Sequence, residues 1–436
     1  MPKYKITTLG CKVNQSESDA IAKQLESCGW LPAGEAEASD IFVINTCAVT
    51  QRASMQSRQA VRQAVRAHAN SRIIVTGCYA QTEPQTIRKI EGVHYIIGNA
   101  DKHRISEFAA AGHKAADGQM VTIRNDIRQA LPLKPALGGV PGSRTRPFLK
   151  IQDGCNAFCS YCIVPYARGP SRSLAIGDVL EALNALQSAG YRETVLTGVH
   201  LGHYGRDLDP ETRLGELLQR IECSTSFARL RLSSIEPLEL TDDLIARVAD
   251  SSRFCNHFHI PLQSGDDLIL EKMGRPYRAV DFRNVVTKIH SRIQDAAIGV
   301  DVLIGFPGET DQAFTRTFEL IRDLPIAYLH VFPFSARPGT PAARYPDRVA
   351  PDKIKKRCAQ LRELGKIKRL DFYKASIGKR LEVLVESTRH APSGLLKGLS
   401  SNYIPVLIDA DDHHKNQLRS VRVEKLVGTA LRATLF

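Results

Sequence analysis

The chain has 436 residues and a formal net charge of +13, from 59 lysines and arginines against 46 aspartates and glutamates. That length exceeds one ordinary core and predicts two or three domains, and a hydrophobic fraction of 43% excludes a disordered chain. Ten cysteines behind a short, charged start (Met1 to Thr8) argue against an oxidised secreted protein. No apolar run approaches the roughly 20 residues that cross a bilayer, so a cytoplasmic chain with no membrane partner is expected. The positive excess suits a polyanionic partner, nucleic acid first, and the bland alternative is a basic soluble surface.

In chain order, strand and helix patterns alternate from the start. Strands are predicted over Tyr4 to Leu9, Ile41 to Asn45, Arg72 to Thr76 and His94 to Ile97, with helices over Glu17 to Ser27 and Ser54 to Ala69. This is the pattern of a doubly wound parallel sheet. A cysteine follows each of the first three strands: Cys11 after Gly10, Cys47 after Thr46, Cys78 after Gly77. Ligands bind at the carboxyl ends of such strands, so three thiols from distant sequence make a candidate metal site. A lone cysteine there is ordinarily a small core residue, but three at equivalent places are harder to dismiss. Cys28, Cys223, Cys255 and Cys358 fit no such pattern.

From about Ala109 to Arg146 the periodicity fades, and Gly138 to Ser143 reads as a linker. An apolar run, Pro147 to Ile151, then leads into Cys155, Cys159 and Cys162 in a C-x3-C-x2-C pattern. Thiolates this close can all point at one soft metal centre, and three on a four-iron cubane leave one iron open. A zinc knuckle wants a fourth ligand within a few residues, and none follows until His200.

Further strands are predicted at Thr194 to Thr197, Leu230 to Ser233, His257 to Ile260, Ile298 to Leu303 and Tyr328 to Phe332, with helices between them. Six such repeats imply an open (β/α)6 partial barrel, whose chemistry sits at the carboxyl ends of its strands. Gly198, His200, Ser234, Glu236, Gln263 and Gly305 fall there and are the candidate cofactor contacts, although each alone is also what an ordinary turn carries. A basic stretch from Lys353 to Arg369 reads as an amphipathic helix with phosphate contact or plain solvation as alternatives. The tail, with strands at Leu381 to Glu386, Tyr403 to Ile408 and Leu418 to Val427, fits a small β-barrel in which Arg380, Lys397, Tyr403, Arg419, Arg422 and Lys425 can meet RNA.

The Cys155/Cys159/Cys162 spacing, with Tyr161 before the last cysteine, resembles the signature of radical S-adenosylmethionine (SAM) enzymes. The string from Cys155 to Gly169, with the contexts of Cys11, Cys47 and Cys78, resembles the methylthiotransferase branch. The resemblance implies an α/β chain in four parts: a methylthiotransferase domain over 1–115, a linker over 116–143, a radical SAM domain over 144–370 and a TRAM-like RNA-binding β-domain over 371–436. It implies two [4Fe-4S] clusters, one on each cysteine trio, and two equivalents of SAM. It also implies tRNA, through its anticodon stem-loop, as substrate and an electron donor such as flavodoxin or ferredoxin, and leaves the sulfur donor unknown. Gly10 to Gln15 and Ser233 to Pro237 look most like the threonylcarbamoyladenosine branch, with Ser16 a mild departure. The other branches act on isopentenyladenosine or on a ribosomal-protein aspartate, and a non-catalytic iron–sulfur RNA-binding protein is the alternative of a different class.

Overall fold

A computed structural model of the chain describes residues 1–34, 36–110, 120–129, 131–135 and 144–436. The first part is an all-parallel six-stranded sheet. Its strand order is Leu31–Pro32, Lys3–Thr8, Ile41–Thr46, Arg72–Gly77, Tyr95–Ile97, Val121–Ile123. Ile41–Thr46 is buried along its whole length, as a central strand covered on both faces must be. Its alternate residues feed two cores. Ile41 and Val43 pack with Ile21 and Leu25 of helix Lys12–Ser27, while Phe42 and Ile44 pack with Val61 and Ala64 of helix Gln51–Ala67. The sheet is therefore wound on both sides.

Two expectations are corrected here. The linker placed over 116–143 contains Val121–Ile123, which pairs in register with Tyr95–Ile97 and so belongs to the sheet. Three apolar-polar-apolar residues are too short a run for periodicity to register. The first helix starts at Lys12 rather than Glu17, because Asn14, Ser16 and Ser18 are polar yet buried and so hide the helical stripe. Gly138 to Ser143 lies outside the described residues.

The middle part has the six expected parallel strands in two halves. One half runs Arg229–Leu232, Glu193–Thr197, Phe148–Lys150, and the other His257–Gln263, Ala297–Ile304, Tyr328–Pro333. They join where Ser234 bridges His259 and the Ile235 N–H donates to the His259 carbonyl at 3.0 Å. Phe148–Lys150 and Tyr328–Pro333 are the unpaired edges, so the barrel is open. Ile298, Val300 and Val302 pack outward with Leu320 and Ile321 of helix Asp311–Asp323. Asp301, between them, points into the lumen toward His259 and His330.

Helix Pro351–Lys374 leads to a closed five-stranded barrel in the order Arg380–Arg389, Leu396–Ser400, Pro405–Ile408, Ala430–Leu435, Leu418–Val427. Sequence periodicity misses the second and fourth of these, LKGLS and ALRATL, which carry almost no β-branched residues. The basic helix is partly spent on structure. Arg357 is buried against Glu309 and Asp311 at 2.5 and 2.6 Å, and Lys368 caps the carbonyls of Arg322 and Leu324. Lys355 and Lys356 stay exposed.

The small barrel seats on the amino ends of the partial-barrel strands. Arg229 and Arg231, both paired to the fully buried Glu193, donate to the carbonyls of Leu399, Ser400 and Ser401 at 2.8 to 3.0 Å. Tyr403 stacks on His257 at 4.4 Å and lies under the Arg231 guanidinium. It is thus a docking residue and not the RNA-stacking platform the sequence invites.

Candidate active site: two cysteine trios across one seam

The loop carrying Cys155, Cys159 and Cys162 leaves strand Phe148–Lys150 and ends in the short helix Val164–Arg168. Its shape is over-determined by backbone. Gly154 has φ +76, and a Cβ there would lie 1.9 Å from the Pro170 carbonyl oxygen, so only glycine starts the loop. Phe158 adopts φ 45, and Ser160 is pinned by hydrogen bonds to the carbonyls of Met273 and Lys272 and from the Ala342 N–H, at 2.8 to 2.9 Å. Burial pushes the Cys162 thiol up to about 12 and raises Cys159, and the other thiols of the loop push the same way. Arg275 donates to the Cys159 sulfur at 3.3 Å and pulls in the opposite direction. A metal taking these sulfurs displaces their protons.

The expected cofactor contacts divide. His200 comes to the loop: its Nδ1 lies 3.5 Å from the Cys155 sulfur and its Nε2 2.7 Å from Glu239. Burial opposes charge on this imidazole, but the bonds to Cys155 and Glu239 outweigh it and push it up to about 10. Glu236 comes too, paired with Arg275. Gly198 lies over Gln152, whose amide oxygen a Cβ would meet at 2.7 Å and already accepts from the His200 N–H. Ser234 serves at the join of the two half-sheets, and Gln263 ends its strand at φ 62. Gly305 is a packing glycine, with a Cβ position 2.4 Å from Ile354 of the long helix.

Cys11, Cys47 and Cys78 follow three neighbouring strands of the first sheet, Lys3–Thr8, Ile41–Thr46 and Arg72–Gly77. A Cβ on Gly10 would lie 2.9 Å from both Cβ and Sγ of Cys47, so the first loop passes directly over the second cysteine. Gly77 has φ +100 and a Cβ position 2.3 Å from the Thr46 carbonyl oxygen, which packs the third loop against the second. Asn14 ties the loops by donating to the carbonyls of Leu9 and Thr46. Burial pushes the Cys47 thiol up to about 12, and Cys78 and Cys11 add to it. Cys47 lies in the field of both other thiols, and three thiols are a donor set suited to a soft iron–sulfur centre rather than to a hard cation.

The two trios meet at the domain seam. Helix Val164–Arg168, which begins two residues after Cys162, packs on helix Cys78–Thr82. Asn99 bridges them, donating to the Ala167 carbonyl at 2.7 Å and reaching the Cys78 sulfur at 3.8 Å. Arg168, 2% exposed, is the centre of this seam. It bonds Glu17 at 2.9 and 3.2 Å and Asn14 from the first sheet's helix, and Asp153 beside the Cys155 loop at 2.8 Å. Lys150 bonds the same Glu17 and Asp153 at 2.9 and 3.0 Å, and Lys102 pairs with Glu17. Burial favours protonating Glu17, yet Arg168, Lys102 and Lys150 hold it well below the usual carboxylate range. The guanidinium of Arg168 also lies in the field of Cys78 and Cys11. Sequence reasoning gave no role to Arg168, Glu17, Lys102 or Arg275, because one charge in an unremarkable context carries no signal of burial.

An open six-stranded parallel barrel with a three-thiol loop after its first strand defines a radical SAM enzyme. The superfamily model matches residues 149–321, and the model described as "Uncharacterized protein family UPF0004" matches residues 3–98. The chain is 35% identical over 423 residues to the threonylcarbamoyladenosine tRNA methylthiotransferase MtaB of Bacillus subtilis, covering 96% of this chain and 93% of that protein. It is 36% identical to the MtaB of Thermotoga maritima, with 98% and 95% covered. A tRNA-2-methylthio-N(6)-dimethylallyladenosine synthase of Pelotomaculum thermopropionicum is 33% identical, with 94% and 92% covered.

The chain belongs to this family of radical SAM methylthiotransferases. Among solved structures, the radical SAM methyltransferase TsrM of Kitasatospora setae superposes with a TM-score of 0.56 at 15% identity over 76% of this chain and 73% of its own. The cobalamin-dependent OxsB superposes with a TM-score of 0.50 at 9% identity, over 83% of this chain and 56% of its own. Both share the fold alone. SAM and a [4Fe-4S] cluster are the cofactors of the superfamily. Among the described residues, no helix is long and apolar enough to cross a membrane.

Proposed function

We propose that the chain converts N6-threonylcarbamoyladenosine next to the tRNA anticodon, at position 37, to its 2-methylthio derivative. The observation that carries this reading is the pair of three-thiol sites brought to one seam around Arg168, together with near full-length similarity to MtaB proteins. When bound, a [4Fe-4S] cluster with SAM on Cys155, Cys159 and Cys162 supplies the radical for carbon 2 of adenine, and a second cluster on Cys11, Cys47 and Cys78 supplies the sulfur that a second SAM methylates.

The protein's part is positioning. Arg275 and His200 hold the sulfurs of Cys159 and Cys155 in place by hydrogen bonds. Glu236 and Glu239 orient these two in turn. Arg168 fixes the separation of the trios, because it bonds both domains at once. Arg337 adds a second lock, bonding Ser54 and Glu83 of the first domain at 3.0 and 2.6 Å. The anticodon stem-loop is the proposed RNA partner and a flavodoxin- or ferredoxin-like protein the proposed electron donor, in the cytoplasm.

The test is anaerobic reconstitution with iron and sulfide, then incubation with tRNA, SAM and a reductant, and mass analysis of the digested nucleosides. Methylthio-threonylcarbamoyladenosine is the expected product. A methylthio group on isopentenyladenosine only would reassign the branch, and no 5′-deoxyadenosine at all would leave an iron–sulfur RNA-binding protein.

A further inference from the structure

The lumen of the open barrel holds a polar cluster that neither thiol trio uses. Asp301 lies level with His330 on the next strand. Its Oδ1 alone takes both His259 Nε2, at 2.9 Å, and His330 Nδ1, at 3.1 Å. Among the described residues, Oδ2 takes no hydrogen bond. One layer toward the small barrel, the Tyr328 hydroxyl joins His259 at 3.2 Å and His257 at 2.8 Å. A Cβ on Gly299 would meet the Tyr328 ring at 2.0 Å, so the strand is bare where this network needs room.

Lys12 approaches this cluster from the other domain. It follows Cys11 directly, is half-buried and makes no hydrogen bond among the described residues. It stands in the field of Arg231, Asp301 and His257. Arg229 and Arg231 are taken up by Glu193, and Arg229 also by Glu382, whereas Lys12 has no ion pair or hydrogen bond among the described residues. A half-buried ammonium without a partner favours an incoming anion.

We propose that Lys12 and Asp301 read the acyl group on N6 of the target adenosine, Lys12 pairing with its carboxylate and the open oxygen of Asp301 accepting from its hydroxyl. This rests on the threonylcarbamoyladenosine reading above. The geometry of the base agrees with it. Carbon 2 and N6 flank N1 on one edge of adenine, so the reader of an N6 substituent belongs beside the centre that acts on carbon 2. Lys12 is one residue from the cysteine assigned to that centre. A site for an uncharged isopentenyl group gains nothing from a lone ammonium, so Lys12 sets specificity.

The reconstituted full-length enzyme tests this with two anticodon stem-loop RNAs, one carrying the free acid and one its methyl ester. The readout is the ratio of their kcat/KM values for methylthio product. Wild type is expected to prefer the acid by about 10- to 100-fold, the weight of one shielded charge-assisted hydrogen bond. Lys12→Gln brings the ratio close to one, and Lys12→Arg keeps most of it. A general structural lesion lowers both rates and leaves the ratio alone. Lys12→Gln retaining the wild-type ratio overturns the proposal.

If Lys12→Gln takes up no iron, Asp301→Ala, remote from the cysteines in sequence, carries the test. It should lose the preference for threonyl over 2-aminobutyryl RNA, which lacks the hydroxyl, and a preference left intact overturns the proposal. Product from both RNAs without discrimination by wild type refutes this inference and leaves the tRNA reading standing. Product from isopentenyl RNA alone refutes the reading itself, and the inference with it.

Discussion

Replacing Arg168 with methionine removes the guanidinium and keeps most of the stem. The side chain is 2% exposed and makes four hydrogen bonds, two to Glu17 and one each to Asp153 and Asn14. Breaking a buried ion pair from one side costs about 3 to 5 kcal/mol. Lys150 and Lys102 remain to neutralise the two carboxylates, so the lower end applies, about 3 kcal/mol. The cost falls on the seam, since Glu17 and Asp153 belong to different domains. Amide hydrogen exchange therefore reads it better than global unfolding of a multi-domain chain. Helix Lys12–Ser27 and the loop after Asp153 should exchange about 100-fold faster, while the five-stranded tail barrel is unchanged. Exchange at both places within about threefold of wild type would show that Arg168 does not hold the seam. Arg168→Lys should recover only part of the protection, because a lysine offers charge without the two-pronged fork.

Three further expectations bear on the same account. Cys47→Ser should lower bound iron by about four per chain and abolish methylthio product while SAM cleavage persists; retained product removes Cys47 from its assigned role. Gly77→Ala places a Cβ 2.3 Å from the Thr46 carbonyl at φ +100, so it should mimic Cys47→Ser in iron content, and full iron would show that the third loop tolerates displacement. Burial opposes ionisation of both Glu17 and Asp153, yet Arg168, Lys102 and Lys150 hold Glu17, and Lys150 and Arg168 hold Asp153, below the usual range. Depressed carboxylates stabilise above their ordinary pKa, and that stabilisation is lost only as pH falls through the depressed values. The iron-free chain should thus keep a constant radius in small-angle X-ray scattering down through the ordinary carboxylate range and expand below it; expansion starting near neutral pH contradicts the assigned network.

Much of this architecture is written in local pattern. Six barrel strands and the Cys155/Cys159/Cys162 loop are legible because β-branched runs and thiol spacing are short-range signals, and Cys11, Cys47 and Cys78 because each follows its own strand. Val121–Ile123 is missed because it is three residues long and pairs with Tyr95–Ile97 across 26 positions, and Leu396–Ser400 and Ala430–Leu435 are missed because leucine, lysine, glycine, alanine and arginine mostly fill them where β-branched residues would mark a strand. Tyr403 shows the limit in the other direction. An aromatic in a predicted RNA-binding barrel looks like a stacking platform, and only the docking of that barrel on Arg231 and His257 reveals its use. Arg168, Glu17 and Lys12 are invisible for the same reason: their meaning lies in which charges face them across a domain boundary.

The central claim is that two thiol trios hold two separate metal centres beside one seam. The direct measurement is iron and Mössbauer analysis of a chain with Cys155, Cys159 and Cys162 all changed to alanine. The account predicts about four irons per chain, in a cubane held by Cys11, Cys47 and Cys78, against about eight in the wild type. A triple variant that binds no iron, next to a wild type that binds about four, would contradict it.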